Sequence, residues 1–217
     1  MRLILFLMSV VLLSGCVNLT QKTVINFDGS GTMTLNYATK TNNLSIGDNV
    51  GGFYFSESKI RETYTSENSE IKNLKIENSE KDSLVTVNLE LSFKDFNKLN
   101  SAKGFARTES EWKAENDIYK FKFYILKDSI NASIPGMDNY NFKYEFNFPG
   151  LVSETNGTRD GNRNVVWEIA VSQFKNNVEL NAIIEKEKGG CGIFGIELPL
   201  LIIFLMNLRK VKIKKNH

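Results

Sequence analysis

Apolar and polar residues alternate with a period of two along much of the chain, and this alternation predicts β-strands that bury one face. The first predicted strand buries Thr23, Ile25 and Phe27. It precedes the turn sequence Asp-Gly-Ser-Gly at residues 28–31 and a second alternating run, which together predict a β-hairpin. The remaining alternating runs lie at residues 85–93, 119–125, 142–148, 165–171 and 180–184.

Two segments have the pattern of short helices. Residues 55–67 contain Ser56 as a candidate N-cap, and residues 94–102 contain Asp95 in the same role. Residues 41–52 are rich in asparagine and glycine and are predicted to form a loop. Because strands with one polar face are typical of antiparallel sheets, the order of elements predicts an α+β fold with a mainly antiparallel sheet and about two helices.

The N-terminus has the layout of an export signal. The apolar run at residues 3–13 has the length of a signal-peptide core and is shorter than the roughly 20 residues that span a bilayer. It ends in Leu-Ser-Gly-Cys at residues 13–16, which resembles the lipobox of bacterial lipoproteins. The resemblance implies that residues 1–15 are a lipoprotein signal peptide and that Cys16 carries a diacylglycerol anchor. An ordinary secretory leader with an incidental cysteine is the alternative.

The C-terminus carries a second apolar segment. Residues 193–208 are predicted to form a transmembrane helix. This helix follows the domain in the sequence, whereas the signal peptide precedes it. At 1.5 Å per residue this helix would be about 24 Å long, which is short for a bilayer. The basic tail at residues 209–217 is predicted to be cytoplasmic by the positive-inside rule.

The linker at residues 189–192 contains Gly189, Gly190 and Cys191. Small residues with a cysteine, a short apolar helix and a basic cluster resemble bacterial C-terminal sorting signals. The resemblance implies processing near Gly189, Gly190 and Cys191. A plain membrane anchor behind a flexible glycine linker is the alternative.

Composition narrows the functional classes more than the net charge does. The only histidine is His217, so the folded region lacks a Ser-His-Asp triad, a Cys-His pair and histidine metal ligands. The net charge of +2 arises from the basic ends, and the mildly acidic region between them argues against nucleic-acid binding. Glu109 and Glu111 are paired carboxylates, but a solvated strand face explains them. We therefore expect no catalytic residue, no metal and no cofactor.

A series of turns and one tryptophan stands out in the second half of the chain. The series is Phe148-Pro149-Gly150, Asn156-Gly157, Asp160-Gly161-Asn162 and Trp167. Together with the turn at residues 28–31, the lipobox and the C-terminal apolar segment, it resembles the LppM-type domain of bacterial envelope lipoproteins. The resemblance implies one extracytoplasmic α+β domain at residues 16–188, tethered to a membrane and without a known catalytic apparatus.

Aromatic residues gather on one side of strands that are candidates for neighbours in the sheet. A filled hydrophobic core is the default interpretation of these residues. The alternative is a curved sheet that encloses an apolar pocket for a lipid or another amphiphile. The candidate pocket residues are Tyr119, Phe121, Phe123, Tyr144, Phe146 and Trp167.

These observations predict a non-enzymatic bacterial lipoprotein whose domain lies on the extracytoplasmic side of the cell envelope. The membrane is its expected partner, through the diacylglycerol anchor and the C-terminal helix, and a lipid or glycolipid is its candidate ligand. The alternative function is that of an envelope assembly or adhesion partner, and an envelope hydrolase is the less favoured alternative. The protein partner, the oligomeric state and the choice between inner and outer membrane stay open.

Overall fold

The computed structural model describes residues 18–44, 47–127 and 141–187 of the chain. The strands in this part are β1 (Asn18–Ile25), β2 (Gly31–Lys40), β3 (Asn49–Val50), β4 (Phe53–Tyr54), β5 (Ser69–Ser79), β6 (Leu84–Phe93), β7 (Thr108–Glu115), β8 (Ile118–Ile125), β9 (Asn141–Asn147), β10 (Leu151–Thr155), β11 (Thr158–Arg159), β12 (Asn164–Ala170) and β13 (Val178–Glu185). The α-helix is α1 (Glu57–Tyr64), and the 3₁₀ helices are Thr41–Leu44, Phe96–Ser101, Lys103–Phe105 and Val171–Lys175.

The larger sheet has seven strands in the order β11-β12-β9-β1-β2-β6-β5. β1 and β2 form the predicted hairpin, with Ile25 opposite Gly31. The other neighbours in this sheet are also antiparallel, except that β1 and β9 are parallel. The prediction of mainly antiparallel pairing is therefore confirmed, but the sheet is mixed. Alternation reports which face of a strand is buried, whereas strand direction depends on how the chain returns to the sheet.

The smaller sheet has four antiparallel strands in the order β10-β13-β8-β7. Its inner face packs on the larger sheet, since the rings of Phe121 on β8 and Phe146 on β9 lie 4.7 Å apart. The aromatic strands β8 and β9 thus belong to different sheets and face each other across the core. The sequence analysis had suggested instead that they are neighbours within one sheet. Either arrangement buries the same side chains, so the sequence pattern does not distinguish them.

The two predicted helical segments are confirmed in shortened form. α1 lies within residues 55–67, and the 3₁₀ helix Phe96–Ser101 lies within residues 94–102. The Asp95 carboxylate caps the latter by accepting a hydrogen bond from the backbone N–H of Asn97 at 3.0 Å. Ser56 is at the N-cap of α1, but its hydroxyl donates to the Asp48 carboxylate and not to the helix.

Two features of the first half of the chain differ from the prediction. Phe27 belongs to the turn and is 37% exposed, because the chain reverses already at the hydrogen bond from Asn26 N–H to the Ser30 carbonyl. The strand β5 was not predicted, and β7 was predicted only as the solvated strand face that carries Glu109 and Glu111. Both are edge strands with few buried residues, so their sequences lack a continuous apolar face.

The hydrophobic core lies between the two sheets, and Phe96 stands at its centre. The 3₁₀ helix that begins with Phe96 follows β6 in the chain and packs against β7. Its ring is fully buried and lies 5.4 Å from Phe121 and 6.1 Å from Phe146, which belong to opposite sheets. This side chain therefore joins the two layers.

Within the described ranges, none of the helices has the length and apolar character needed to cross a bilayer. The predicted signal peptide, Cys16, the linker with Gly189, Gly190 and Cys191, the transmembrane helix and the basic tail lie outside those ranges.

Candidate functional site

A cavity of about 430 Å³ lies at the end of the sandwich where β1 begins and β8 ends. The β3–β4 hairpin, α1 and the 3₁₀ helix Lys103–Phe105 cover it. Pockets of about 300–1,000 Å³ hold small-molecule ligands in proteins, so this volume suits a ligand or part of one. The apolar wall is formed by Leu19, Leu35, Phe53, Phe105, Phe123 and Ile125.

The β3–β4 hairpin is held in place by Tyr37 of β2. The Tyr37 side chain is fully buried, and its hydroxyl donates a hydrogen bond of 2.7 Å to the carbonyl oxygen of Tyr54. Its ring centroid lies 5.2 Å from that of Phe53 and 5.3 Å from that of Phe55. The cover of the cavity is thus attached to the larger sheet by a buried aromatic cluster and by one buried hydrogen bond.

The helix α1 and the 3₁₀ helix Lys103–Phe105 approach each other closely beside the cavity. The ring of Tyr64, the last residue of α1, lies 5.5 Å from that of Phe105. A Cβ atom at Gly104 would stand 2.5 Å from Cε1 of Tyr64, so the absence of a side chain there permits this contact. Glycine at position 104 therefore helps to set the shape of the cavity wall.

Gln21, Tyr64 and Tyr144 place polar groups among the apolar lining. Each is at least 95% buried. The Gln21 amide donates to the Thr23 hydroxyl at 3.2 Å, but no described residue forms a hydrogen bond with the hydroxyl of Tyr64 or Tyr144. Burial raises the pKa of both tyrosines above the usual 10, so both hydroxyls are protonated donors at neutral pH. Buried polar groups normally have partners, so these two hydroxyls are exceptions within the part of the chain that the structure describes.

Charged side chains surround the mouth of the cavity. Lys59, Glu62, Lys103 and Arg107 are exposed there. The Lys103 ammonium lies 2.6 Å from one Glu62 oxygen, and the Lys59 ammonium lies 3.0 Å from the other. The Arg107 guanidinium donates to the backbone carbonyl of Lys127. We call these four residues (Lys59, Glu62, Lys103 and Arg107) the basic mouth. Its three cationic side chains outnumber its one carboxylate, so its net charge is positive.

The pKa of Glu62 depends on the ion pairs of the basic mouth. Hydrogen bonds from Lys103 and then Lys59 lower the pKa of Glu62 from 4.5 to about 2. Replacing Lys103 by methionine is expected to raise this pKa toward 4.5, which an NMR titration of the carboxyl carbon would measure. Since the pKa is lower in the folded state, the associated stabilisation is present above pH 4.5 and is lost as the pH falls toward 2.

The control for this titration is Lys98→Met, because Lys98 pairs with Asp95 at 3.4 Å and not with Glu62. This variant should leave the pKa of Glu62 unchanged. An unchanged pKa in Lys103→Met as well would mean that the ion pair at the mouth does not form in solution.

The six predicted pocket residues are divided between the cavity, the core and the surface. Phe123 and Tyr144 line the cavity. Phe121, Phe146 and Trp167 are buried and pack on one another, with ring centroids 4.7–6.0 Å apart. These three side chains fill the interior of the sandwich, as the default interpretation of the aromatic faces expected.

Tyr119 lies at the opposite end of the strands, beside an exposed apolar surface. Its ring centroid is 5.2 Å from that of Phe27. Ile118 and Leu151 both pair with Glu185 of β13, on either side of that strand. Phe27, Ile118 and Leu151 are 37–40% exposed, and we call these three residues the distal patch.

The sequence analysis did not single out Gln21 or the residues of the basic mouth. Gln21 follows Leu19 and precedes Thr23 and Ile25 on the inward face of β1. A glutamine at an inward position of a strand is a signal that could have been recognised. The mouth residues carry no such signal, because exposed lysines and arginines are common and these lie on separate elements.

The other candidate chemistry finds no support in the described ranges. They contain no group of three or more histidine, cysteine, aspartate or glutamate side chains placed to hold a metal ion. Glu109 and Glu111 lie on the edge strand β7, opposite Tyr124 and Lys122 of β8. Glu109 is exposed and Glu111 half-buried, as the solvated strand face predicted for them requires.

The comparison with known protein families agrees with the resemblance seen in the sequence. The sequence model of the LppM domain matches residues 21–185, which run from β1 to the last residue of β13. Among solved structures, the chain is similar to the folded domain of LppM from Mycobacterium tuberculosis, determined by NMR. The two are 13% identical, the match covers 80% of this chain and 91% of that chain, and the TM-score is 0.44. No curated protein matches the sequence.

Proposed function

The chain belongs to the LppM domain family, and we propose that it is a membrane-tethered, non-enzymatic domain of the bacterial cell envelope that binds a lipid or glycolipid in its cavity. In this proposal Cys16 carries a diacylglycerol anchor, and residues 193–208 form a second membrane element behind the linker at residues 189–192. The domain stands on the extracytoplasmic side of the membrane, and the basic tail is in the cytoplasm.

The proposal that the domain binds a lipid rests on the cavity under α1. It combines an apolar wall with the buried polar groups of Gln21, Tyr64 and Tyr144. A purely apolar ligand would leave the hydroxyls of Tyr64 and Tyr144 without partners, which would weaken its binding. An amphiphile satisfies both parts of the lining, because its chain contacts the apolar wall while its ester, hydroxyl or sugar oxygens reach the polar groups.

The ionisable groups around the cavity support a binding role over catalysis. Glu62 has a pKa of about 2, far below the range in which a carboxyl group exchanges protons efficiently at neutral pH. The hydrogen bond with Glu62 also raises the pKa of Lys59, which keeps this amine protonated and therefore not nucleophilic. Burial keeps Tyr64 and Tyr144 neutral.

The binding proposal predicts that protein extracted from the native membrane carries a lipid. Thr108 is half-buried in the lining of the cavity, and Thr108→Trp would place an indole there. We expect lipid occupancy to fall at least about tenfold in this variant, equivalent to about 1.4 kcal/mol of binding free energy. Native mass spectrometry of the extracted protein would measure the occupancy.

The matched control is Thr32→Trp, which adds the same indole at an exposed position of β2 away from the cavity. It should keep the lipid of the wild type. Wild-type protein without any bound lipid, or equal occupancy in the two variants, would contradict the binding proposal. Melting curves of both variants establish that each one folds.

The intact mass of the same sample tests the two anchors. A mass that begins at an acylated Cys16 and ends at His217 would support both membrane elements. A mass truncated near Cys191 would favour a sorting signal, and an unmodified Cys16 would refute the diacylglycerol anchor.

The distal patch favours a second function, that of an envelope assembly partner. Phe27, Ile118 and Leu151 expose apolar area at the end of the strands opposite to the cavity. Exposed apolar clusters are typical of protein interaction sites. A complex that dissociates in Leu151→Lys, while the lipid occupancy stays unchanged, would support this second function.

A further inference from the structure

We propose that the basic mouth docks on the anionic surface of the bilayer that holds Cys16, so that the ligand passes between that bilayer and the cavity without crossing water. This inference rests on the proposed function, because it takes the acylated Cys16 and the lipid ligand as given. It adds a docking surface and an orientation of the domain, and two independent observations carry it.

The first observation is the position of the chain start relative to the cavity. β1 begins at Asn18, and Leu19, the next residue, lines the cavity. Cys16 is three residues before Leu19, and three extended residues span at most about 11 Å. An acyl anchor on Cys16 therefore keeps the cavity close to the bilayer surface, whatever path these few residues take.

The second observation is the distribution of charge between the two ends of the strands. The mouth carries Lys59, Lys103 and Arg107 against Glu62. Lys40, the last residue of β2, lies at the same end of the domain, since β2 runs antiparallel to β1 and ends beside its start.

The opposite end of the domain has no comparable excess of basic residues. Its acidic residues Asp28, Asp95, Asp117 and Glu185 are matched by the basic residues Lys94, Lys98, Arg163 and Lys186. A domain with this distribution of charge is attracted to an anionic surface more strongly through its basic mouth than through its other end.

The two observations reinforce each other because of the short range of electrostatic attraction. The Debye length is about 8 Å at physiological ionic strength, so basic side chains act on a bilayer only when a tether holds them near it. The tether at Cys16 supplies that proximity. The bilayer then faces the opening that leads past Lys59 and Arg107 to the apolar wall, which is the route that a lipid chain requires.

The test uses the full-length acylated chain in nanodiscs, with Cys191→Ser so that one new cysteine carries a fluorophore. Ala106→Cys places the fluorophore beside Arg107 at the mouth, and Thr32→Cys places it at the other end of the strands; both positions are exposed. Lipids with a spin label near the headgroup quench a fluorophore that lies at the bilayer surface. We expect quenching at residue 106 and none at residue 32, and only in discs that contain anionic phosphatidylglycerol.

Charge variants separate docking from simple tethering. Each basic residue near an anionic surface changes the docked population by about fivefold. Lys59→Gln, Lys103→Gln and Arg107→Gln together should therefore abolish most of the quenching at residue 106. The matched control is Lys72→Gln, Lys75→Gln and Lys113→Gln, which removes the same charge from exposed ion pairs elsewhere.

Three results would overturn the docking inference: quenching at residue 32 instead of residue 106, quenching that does not depend on phosphatidylglycerol, or equal effects of the two triple variants. None of them concerns the lipid occupancy of the wild type. Lipid-loaded protein with an undocked mouth would refute only this inference, whereas a docked mouth on protein that never carries lipid would refute only the binding function.

Discussion

Replacing Phe96 by alanine is expected to lower the free energy of unfolding by about 3–5 kcal/mol, the usual loss for a buried phenylalanine. The Phe96 ring is fully buried, and its centroid lies 5.4–6.1 Å from those of four other phenylalanines. These belong to β6, β8 and β9, so the truncation leaves a cavity that neither sheet can fill alone. Guanidinium unfolding, followed by the fluorescence of Trp112 and Trp167, measures the loss.

The control for Phe96 is Phe27→Ala, which removes a ring of the same size that is 37% exposed. We expect a loss of about 1 kcal/mol or less, because much of that ring is in water in the folded state. Equal losses in the two variants would mean that Phe96 does not join the two sheets.

Gly31→Ala is expected to destabilise the protein by about 3 kcal/mol, at the upper end of the range for an overpacked interior position. A Cβ atom on residue 31 would stand 2.1 Å from the carbonyl oxygen of Val24 and 2.5 Å from Cζ of Phe93. The first neighbour is backbone that is paired in the sheet, so it cannot move aside without breaking the β1–β2 register. Thermal unfolding monitored by circular dichroism measures the effect.

Gly47→Ala is the matched control, because no atom of the described residues outside its own chain neighbours lies within 4 Å of a Cβ atom at that position. The expected change is within about 0.5 kcal/mol of the wild type. A Gly31→Ala variant as stable as Gly47→Ala would show that the hairpin has more room than the close approach of Val24 and Phe93 indicates.

Much of the fold could be predicted from local sequence patterns. The hairpin around residues 28–31, the inward faces of β6, β8, β9, β12 and β13, and the two helical segments all follow from residue spacing. The edge strand β5 was missed, and β7 was recognised only as a solvated face at Glu109 and Glu111, because both strands bury few residues and spacing is informative only where burial alternates. The parallel pairing of β1 with β9 was missed because spacing carries no direction.

The candidate site could be predicted only in part. Phe123 and Tyr144 belonged to the predicted pocket set, and they line the cavity. Lys59, Lys103 and Arg107 were absent from it, since nothing in their local sequence distinguishes them from other exposed basic residues. They meet only because α1 and the 3₁₀ helix Lys103–Phe105 fold over the same end of the sandwich.

The order of apolar and polar residues was sufficient to assign the buried face of most strands, because the side chains of a strand alternate over two residues. The local turn motifs, together with the lipobox and the C-terminal apolar segment, were sufficient to recognise the family. Only the tertiary structure separated Phe123 and Tyr144, which border a cavity, from Phe121 and Phe146, which lie two residues away on the same faces and fill the core. Whether space remains beside a buried ring depends on elements distant in the chain, and local sequence does not encode their packing.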